Sequence, residues 1–125
     1  EIPEILKTGG SIVNMTSILG RVGIAGSGAY AAAKHGVIGL TESAAIEYSA
    51  QGIRINSIGP GFISTPMLGG IDEDPETLDQ LVALHPIGRL GKPEEVAEMV
   101  VWLSSERASF VTGAYYPVDG GYLSR

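Results

Sequence analysis

The sequence predicts an α/β fold, a parallel sheet with helices packed on it. Three observations carry this reading. The runs Ser11–Met15 and Ile53–Ile58 are short, rich in β-branched residues and bounded by glycine, the pattern of buried strands. The segment between them turns helical from Tyr30 to about Ala50, so strand, helix and strand form a βαβ unit with parallel strands and a right-handed crossover. The chain also holds 18 glycines in 125 residues, several of them between apolar runs, where an α/β protein places its tight turns.

The elements follow in order. Residues 4–8 are expected to end a helix, stopped by Gly9-Gly10. Ser11–Met15 is the first strand, with Ser17 at or just past its C-terminal end, and Gly20, Gly23, Gly26 and Gly28 mark a loop. In the helix, Val37, Leu40, Ala44 and Tyr48 line one apolar face at steps of three and four. Gly36, Gly39 and Ser43 form a second stripe, small enough for a neighbouring element to approach closely. Gln51-Gly52 ends this helix, and Gly59-Pro60-Gly61 ends the second strand. Residues 62–92 form a long connection with a helix near 75–84, a candidate lid. Lys92-Pro93-Glu94-Glu95 opens a further helix with proline in its first turn and acids behind it, and Val96, Met99, Val100 and Leu103 make its apolar face. Ala114–Val118 is the third strand, placed at an edge by Pro117, and Asp119-Gly120-Gly121 turns the chain out. There is no internal repeat and no linker, so one domain is expected.

Composition narrows the function. The chain is 44% apolar and 18% charged, which fits a globular protein rather than a disordered one. The net charge of −6, with lysines and arginines scattered, argues against a nucleic-acid partner. Asp72, Glu73, Asp74, Glu76 and Asp79 cluster, but no histidine joins them and the spacing is not that of a calcium loop; they read as a solvated helix start, and no metal is expected. Cysteine is absent, which excludes thiolate chemistry and fits a reducing compartment, so a cytoplasmic location is expected. No apolar run is long enough to span a bilayer. Residue 1 is Glu, and Ile2–Lys7 reads like the tail of an amphipathic segment already under way, so the chain is expected to be a piece of something longer.

The chemistry concentrates between Asn14 and Lys34. Tyr30 and Lys34 stand at i and i+4, which puts them on one helix face about 6 Å apart along the axis. A free phenol titrates near pH 10, too high for a base at neutral pH, and a neighbouring ammonium favours the phenolate. Such a pair can move a proton to or from an alcohol oxygen. Ser17, at a strand's C-terminal end, can hydrogen-bond the same oxygen, and ligands of open α/β sheets bind at that edge. Each motif alone is weak, since a Tyr and a Lys four apart are usually packing and a Ser after a strand usually caps something. Their order, with a Pro-Gly turn after the next strand, makes them stronger together.

These residues carry a resemblance. Gly10-Ser11-Ile12-Val13-Asn14 leading to Ser17, Tyr30 with Lys34, Asn56 to Gly61 with Thr65, Gly88 to Ala97, Thr112-Gly113 and Val118-Asp119-Gly120-Gly121 resemble the short-chain dehydrogenase/reductase family along essentially the whole chain. The resemblance implies a Rossmann-like parallel sheet, here only the last three strands with their helices. It implies an NAD(P)-dependent oxidoreductase that interconverts an alcohol and a ketone. Tyr30 matches the catalytic acid/base. Lys34 matches the residue that lowers the tyrosine's pKa and binds the nicotinamide ribose, and Ser17 the residue that orients the substrate oxygen. Pro60, Gly61, Ile63 and Thr65 match the segment lining the nicotinamide and nearby phosphates, with Tyr30 and Lys34 also touching the cofactor, NAD or NADP.

Parts of the family pattern are missing. No Gly-x-x-x-Gly-x-Gly opens a strand–helix turn, the residue that separates NAD from NADP is absent, and Asn14 does not hold the position of the family's catalytic Asn. Residues 1–125 are therefore expected to be the C-terminal portion of a single Rossmann-like domain. The Ile12–Met15 strand should then have an open edge, to be paired by an N-terminal half not in this chain or by another chain. The helix from 30 to 50 resembles the family's main dimer helix, which implies a homo-oligomer, dimer or tetramer. A second reading from a different class is a non-catalytic chain acting as an oligomerisation or binding module. The substrate is not legible. Met67, Leu68 and Leu84 point to apolar contact, and His85 beside Pro86 reads as structural more readily than as a substrate contact.

Overall fold

The computed structural model describes residues 1–65 and 74–125. A short helix α1 (Ile2–Ile5) leads into strand β1 (Gly10–Met15), followed by helix α2 (Gly28–Tyr48), strand β2 (Ile53–Pro60), helices α3 (Pro75–Ala83) and α4 (Pro93–Ser104), and strand β3 (Tyr115–Val118). The strands form one sheet in the order β1-β2-β3, and both pairings are parallel. The α/β reading of the sequence is correct.

β2 is the strand on which both cores are built. Its side chains alternate between two covered faces, as parallel sheets require. Ile53 and Ile55 pack with Ala45 of α2 on one face. Ile58 packs with Val96 and Leu103 of α4 and with Ala108 on the other. β2 runs two residues past the expected Ile58, because Gly59 and Pro60 pair with Pro117 and Val118 of β3. β3 lies at an edge of this sheet, as Pro117 indicated. β1 is paired on one side only, with β2, and no other strand lies beside it among the described residues.

The helix ends follow their sequence signals. Gly9 closes the turn after α1 with φ +73 and an N–H bond to the Ile5 carbonyl at 2.7 Å, a backbone geometry that glycine adopts at little cost. Asp74 caps α3, accepting from the Glu76 N–H at 3.2 Å and the Thr77 hydroxyl at 2.6 Å. The Thr77 bond holds its carboxyl below the usual range. This acid is thus a helix cap, and the described residues contain no group of acids and histidines able to hold a metal. Asp72 and Glu73 lie outside the described residues. At the start of α4, Glu95 accepts from the Lys92 N–H at 2.8 Å and pairs through both oxygens with Arg89, at 2.7 and 3.0 Å.

α2 departs from the expected face. Its buried residues are Ile38, Thr41 and Ala45, whereas Leu40 is 67% exposed. Thr41 can take a core position because its hydroxyl donates to the Val37 carbonyl at 2.8 Å and accepts from the Asn14 amide at 3.0 Å, so it is buried without an orphaned group. Gly36, Gly39 and Ser43 are exposed, so the small-residue stripe does not serve packing on this sheet. No helix of the described residues is long and apolar enough to cross a membrane.

Leu103 is fully buried between α4 and the sheet. Leu103→Ala should therefore lower unfolding free energy in denaturant titration by about 2–4 kcal/mol; a loss near zero would contradict this core assignment. The Arg89 hydrogen bonds bring the Glu95 carboxyl down to about 2 from 4.5, so its contribution to stability is present above the ordinary value and lost as the pH falls through the lower one. The thermal midpoint of Glu95→Gln should lie below wild type at neutral pH, with the gap closing as the pH falls from 4.5 to about 2. A gap constant across that window would mean the ion pair contributes nothing.

Candidate active site

Ser17 follows β1 in extended backbone, φ −165 and ψ 167, and caps a single 3-10 turn over Ile18–Gly20. Its Oγ accepts the Leu19 N–H at 3.1 Å. A hydroxyl has one proton and two lone pairs, so the proton remains available to a second oxygen. The Ser17 side chain is buried at the cavity wall, and its carbonyl accepts from the Gly20 N–H and from the Tyr115 phenol, both at 2.9 Å.

Two contacts hold this turn against α2. The Thr16 hydroxyl donates to the Lys34 carbonyl at 2.9 Å. Gly20 lies so close to the helix that an added Cβ would sit 2.6 Å from Ile38 Cδ1 and 2.7 Å from Thr16 Oγ1. Tyr30 stands in the first turn of α2 and Lys34 one turn on, with Lys34 Nζ 5.3 Å from the centre of the Tyr30 ring. The expected i, i+4 pairing is therefore a real contact, a cation lying against an aromatic face.

Ser17 and Tyr30 open into one cavity of about 370 Å³, shared with Gly61, Phe62 and Ile63 and walled by Ile18, Leu19 and Ile24. The structure thus brings together Ser17, Tyr30, Gly61 and Ile63, with Lys34 behind the tyrosine ring. Pro60, the last residue of β2, and Thr65 do not line this cavity. Leu84, at the end of α3, does not line it either, and Met67 and Leu68 lie outside the described residues. A smaller cavity of about 150 Å³ shares Phe62 and Ile63 but contains none of Ser17, Tyr30 or Lys34.

The segment after β2 is pinned from three sides. The Gly61 N–H donates to the Val118 carbonyl at 3.0 Å, and Gly91 bonds both Phe62 and Ser64, donating to the first at 3.0 Å and accepting from the second at 2.9 Å. His85 completes the set. It is 3% exposed, its Nδ1 donates to the Leu81 carbonyl at 2.7 Å, and its Nε2 accepts the Phe62 N–H at 3.2 Å. With both ring nitrogens engaged and the ring wedged between Phe62 and Tyr122, His85 is structural and does not reach the larger cavity. Gly61 sits in a tight place: a Cβ there would lie 3.0 Å from both His85 Nε2 and Asp119 Cα, so those neighbours would have to give way by a few tenths of an ångström.

Sequence reading missed Thr16, Phe62 and Tyr115, and read Gly20 only as loop. Thr16 carried a weak signal as the polar neighbour of Ser17; the other contacts depend on distant partners.

With this geometry in place, comparison with known proteins is decisive. The family model described as Enoyl-(Acyl carrier protein) reductase matches residues 1–123. The chain belongs to the short-chain dehydrogenase/reductase family. Among its relatives, cyclohexanol dehydrogenase of Acinetobacter sp. (strain SE19) is 55% identical over the whole of this chain and 48% of its own length. The (3R)-3-hydroxyacyl-CoA dehydrogenase of Canis lupus familiaris is 49% identical over 90% of this chain and 42% of its own. The solved structure of ElxO with NADP bound superposes with a TM-score of 0.92 at 40% identity, covering 99% of this chain and 51% of ElxO. The chain thus spans about half the length of the short-chain dehydrogenase/reductase relatives it matches.

Gly20→Ala tests the staple between turn and helix. The inserted methyl has no room, and the substitution should cost about 1–3 kcal/mol of stability in denaturant unfolding; a neutral result would show that the turn does not depend on this approach.

Proposed function

We propose that residues 1–125 are the C-terminal, acid/base portion of a single Rossmann-like domain in an NAD(P)-dependent oxidoreductase that interconverts a secondary alcohol and a ketone. The observation that carries this reading is Ser17 and Tyr30 lining one apolar cavity with the Lys34 ammonium against the tyrosine ring. In oxidation the Tyr30 phenolate takes the proton of the alcohol oxygen; in reduction the phenol returns it. The Lys34 ammonium, lying against the tyrosine ring, offers its donors to a ribose hydroxyl. Ser17, its oxygen already accepting from Leu19, donates its proton to the substrate oxygen. The nicotinamide, when bound, accepts or supplies the hydride.

The residues present suit the nicotinamide end of such a cofactor. Tyr30 and Lys34 supply a phenol and an ammonium for the ribose, and the segment that follows Pro60 is tied by hydrogen bonds at Gly61, Phe62 and Ser64 just past the C-terminal end of β2, where α/β sheets bind ligands, with Ile63 within it and Thr65 next along the chain. The phosphate-binding glycine turn would come from elsewhere in the protein. The same reading supplies a partner for β1, whose open edge would pair with an N-terminal half of the domain.

The cavity also points to a substrate class. Among the described residues its walls hold no charged side chain, and Ile18, Leu19, Ile24, Phe62 and Ile63 dominate them. A small, uncharged alicyclic alcohol fits such walls, in keeping with the activity named for the Acinetobacter relative. A second reading, a non-catalytic assembly module, draws support from the exposed Gly36–Gly39–Ser43 stripe and the open edge of β1.

In the full-length protein, cyclohexanol should be oxidised with NAD or NADP in preference to 3-hydroxyacyl thioesters, and the reverse preference would overturn the substrate class. Tyr30→Phe should lower kcat by about 10²-fold or more, with nucleotide affinity nearly intact because Lys34 still meets the ribose. Turnover surviving in that variant would remove Tyr30 from its role. Micromolar binding of NADH or NADPH by the 125-residue segment alone would sink the assembly-module reading.

A further inference from the structure

Tyr115 lies 98 residues from Ser17 in sequence and opens the far strand of the sheet, yet its phenol meets the Ser17 backbone. It reaches there because Gly59 of β2 lies beneath it: a Cβ at that position would overlap the phenol oxygen and the ring. The other end of the same turn also touches Tyr115. Arg21, which follows the Ile18–Gly20 turn, places its guanidinium carbon 5.0 Å from the centre of the Tyr115 ring. A single side chain from β3 therefore holds both ends of the turn that carries Ser17.

The Ser17 carbonyl has two donors, and they differ in kind. The Gly20 N–H belongs to the turn and moves with it. The Tyr115 phenol belongs to the sheet and ties the turn to a fixed frame. We propose that Tyr115 is a positioning residue for Ser17, aiming the serine hydroxyl by clamping its carbonyl and the Arg21 end of the turn. The role requires the phenol to stay protonated, because a carbonyl only accepts. Burial, helped by Asp119 and opposed by Arg21, pushes the Tyr115 phenol above its ordinary value and keeps it a donor. The inference rests on the alcohol-oxidoreductase reading above, since a hydroxyl needs aiming only where an oxygen is to be met.

The test is Tyr115→Phe in the full-length protein, alone and combined with Ser17→Ala. Removing one neutral hydrogen bond should lower kcat about fivefold, with the nucleotide KM unchanged, and the drop should vanish in the Ser17→Ala background, where no hydroxyl is left to aim. An unchanged kcat, or an equal loss in both backgrounds, would overturn the proposal. Hydrogen exchange gives a readout independent of turnover. The Leu19 and Gly20 amides, both bonded to Ser17, should exchange several-fold faster in Tyr115→Phe while the amides of β2 stay unchanged; a uniform increase, or none, would also overturn it. If the wild-type protein oxidises no secondary alcohol with either nucleotide, the reading of its function fails, and the exchange result still decides whether Tyr115 holds the turn.

Discussion

The Thr16 hydroxyl on the Lys34 carbonyl is the contact on which the site depends. It joins the end of β1 to the helix that carries the phenol and the ammonium. Together with the Gly20 approach to Ile38 and the Asn14 bond to Thr41, it holds Ser17 and Tyr30, which belong to separate elements, beside one cavity. Gly20 makes the contact possible by letting the turn lie directly on Ile38. β2 then supplies the frame, because among the described residues it is the strand paired on both sides, and it is covered on both faces. A polar bond of this kind is worth only about 1 kcal/mol in stability, but its geometric effect is larger: it keeps the Ser17 and Tyr30 hydroxyls at one cavity.

The second wall shows the same logic. Phe62 and Ile63 face the cavity, and the backbone beneath them is held by Val118 of β3 and by His85 and Gly91 of the connection between α3 and α4. Phe62 lines both cavities, so the histidine that fixes its backbone acts on the site from outside it. Rigid backbone at the C-terminal end of a central strand is what an α/β protein needs where a flat ring is to be bound against a reacting carbon.

Much of this was legible in the sequence because it is local. β-branched runs marked the strands, Gly9 and Gly52 marked the ends of helical segments, and Tyr30 and Lys34 could be placed on one face by counting. The family resemblance then ordered these pieces, and the family model bears it out. The rest was hidden for physical reasons. Thr41 is polar, yet two hydrogen bonds satisfy it inside the core, and the buried face of α2 runs through Ile38, Thr41 and Ala45 rather than Leu40. Tyr115 read as a strand residue, and nothing in its neighbours signals a bond to a residue 98 positions away. His85 had two readings until both its nitrogens were seen to be engaged within buried surroundings.

In the proposed reaction Ser17, Tyr30 and Lys34 act together on one substrate oxygen and one ribose. The most direct measurement is a crystal structure of the full-length protein with nucleotide and a secondary alcohol bound. The predicted arrangement has the alcohol oxygen within hydrogen-bonding distance of both Ser17 Oγ and Tyr30 Oη, with Lys34 Nζ on a ribose hydroxyl of the nucleotide. An alcohol oxygen met by neither hydroxyl, or a nicotinamide placed away from Gly61 and Ile63, would contradict it.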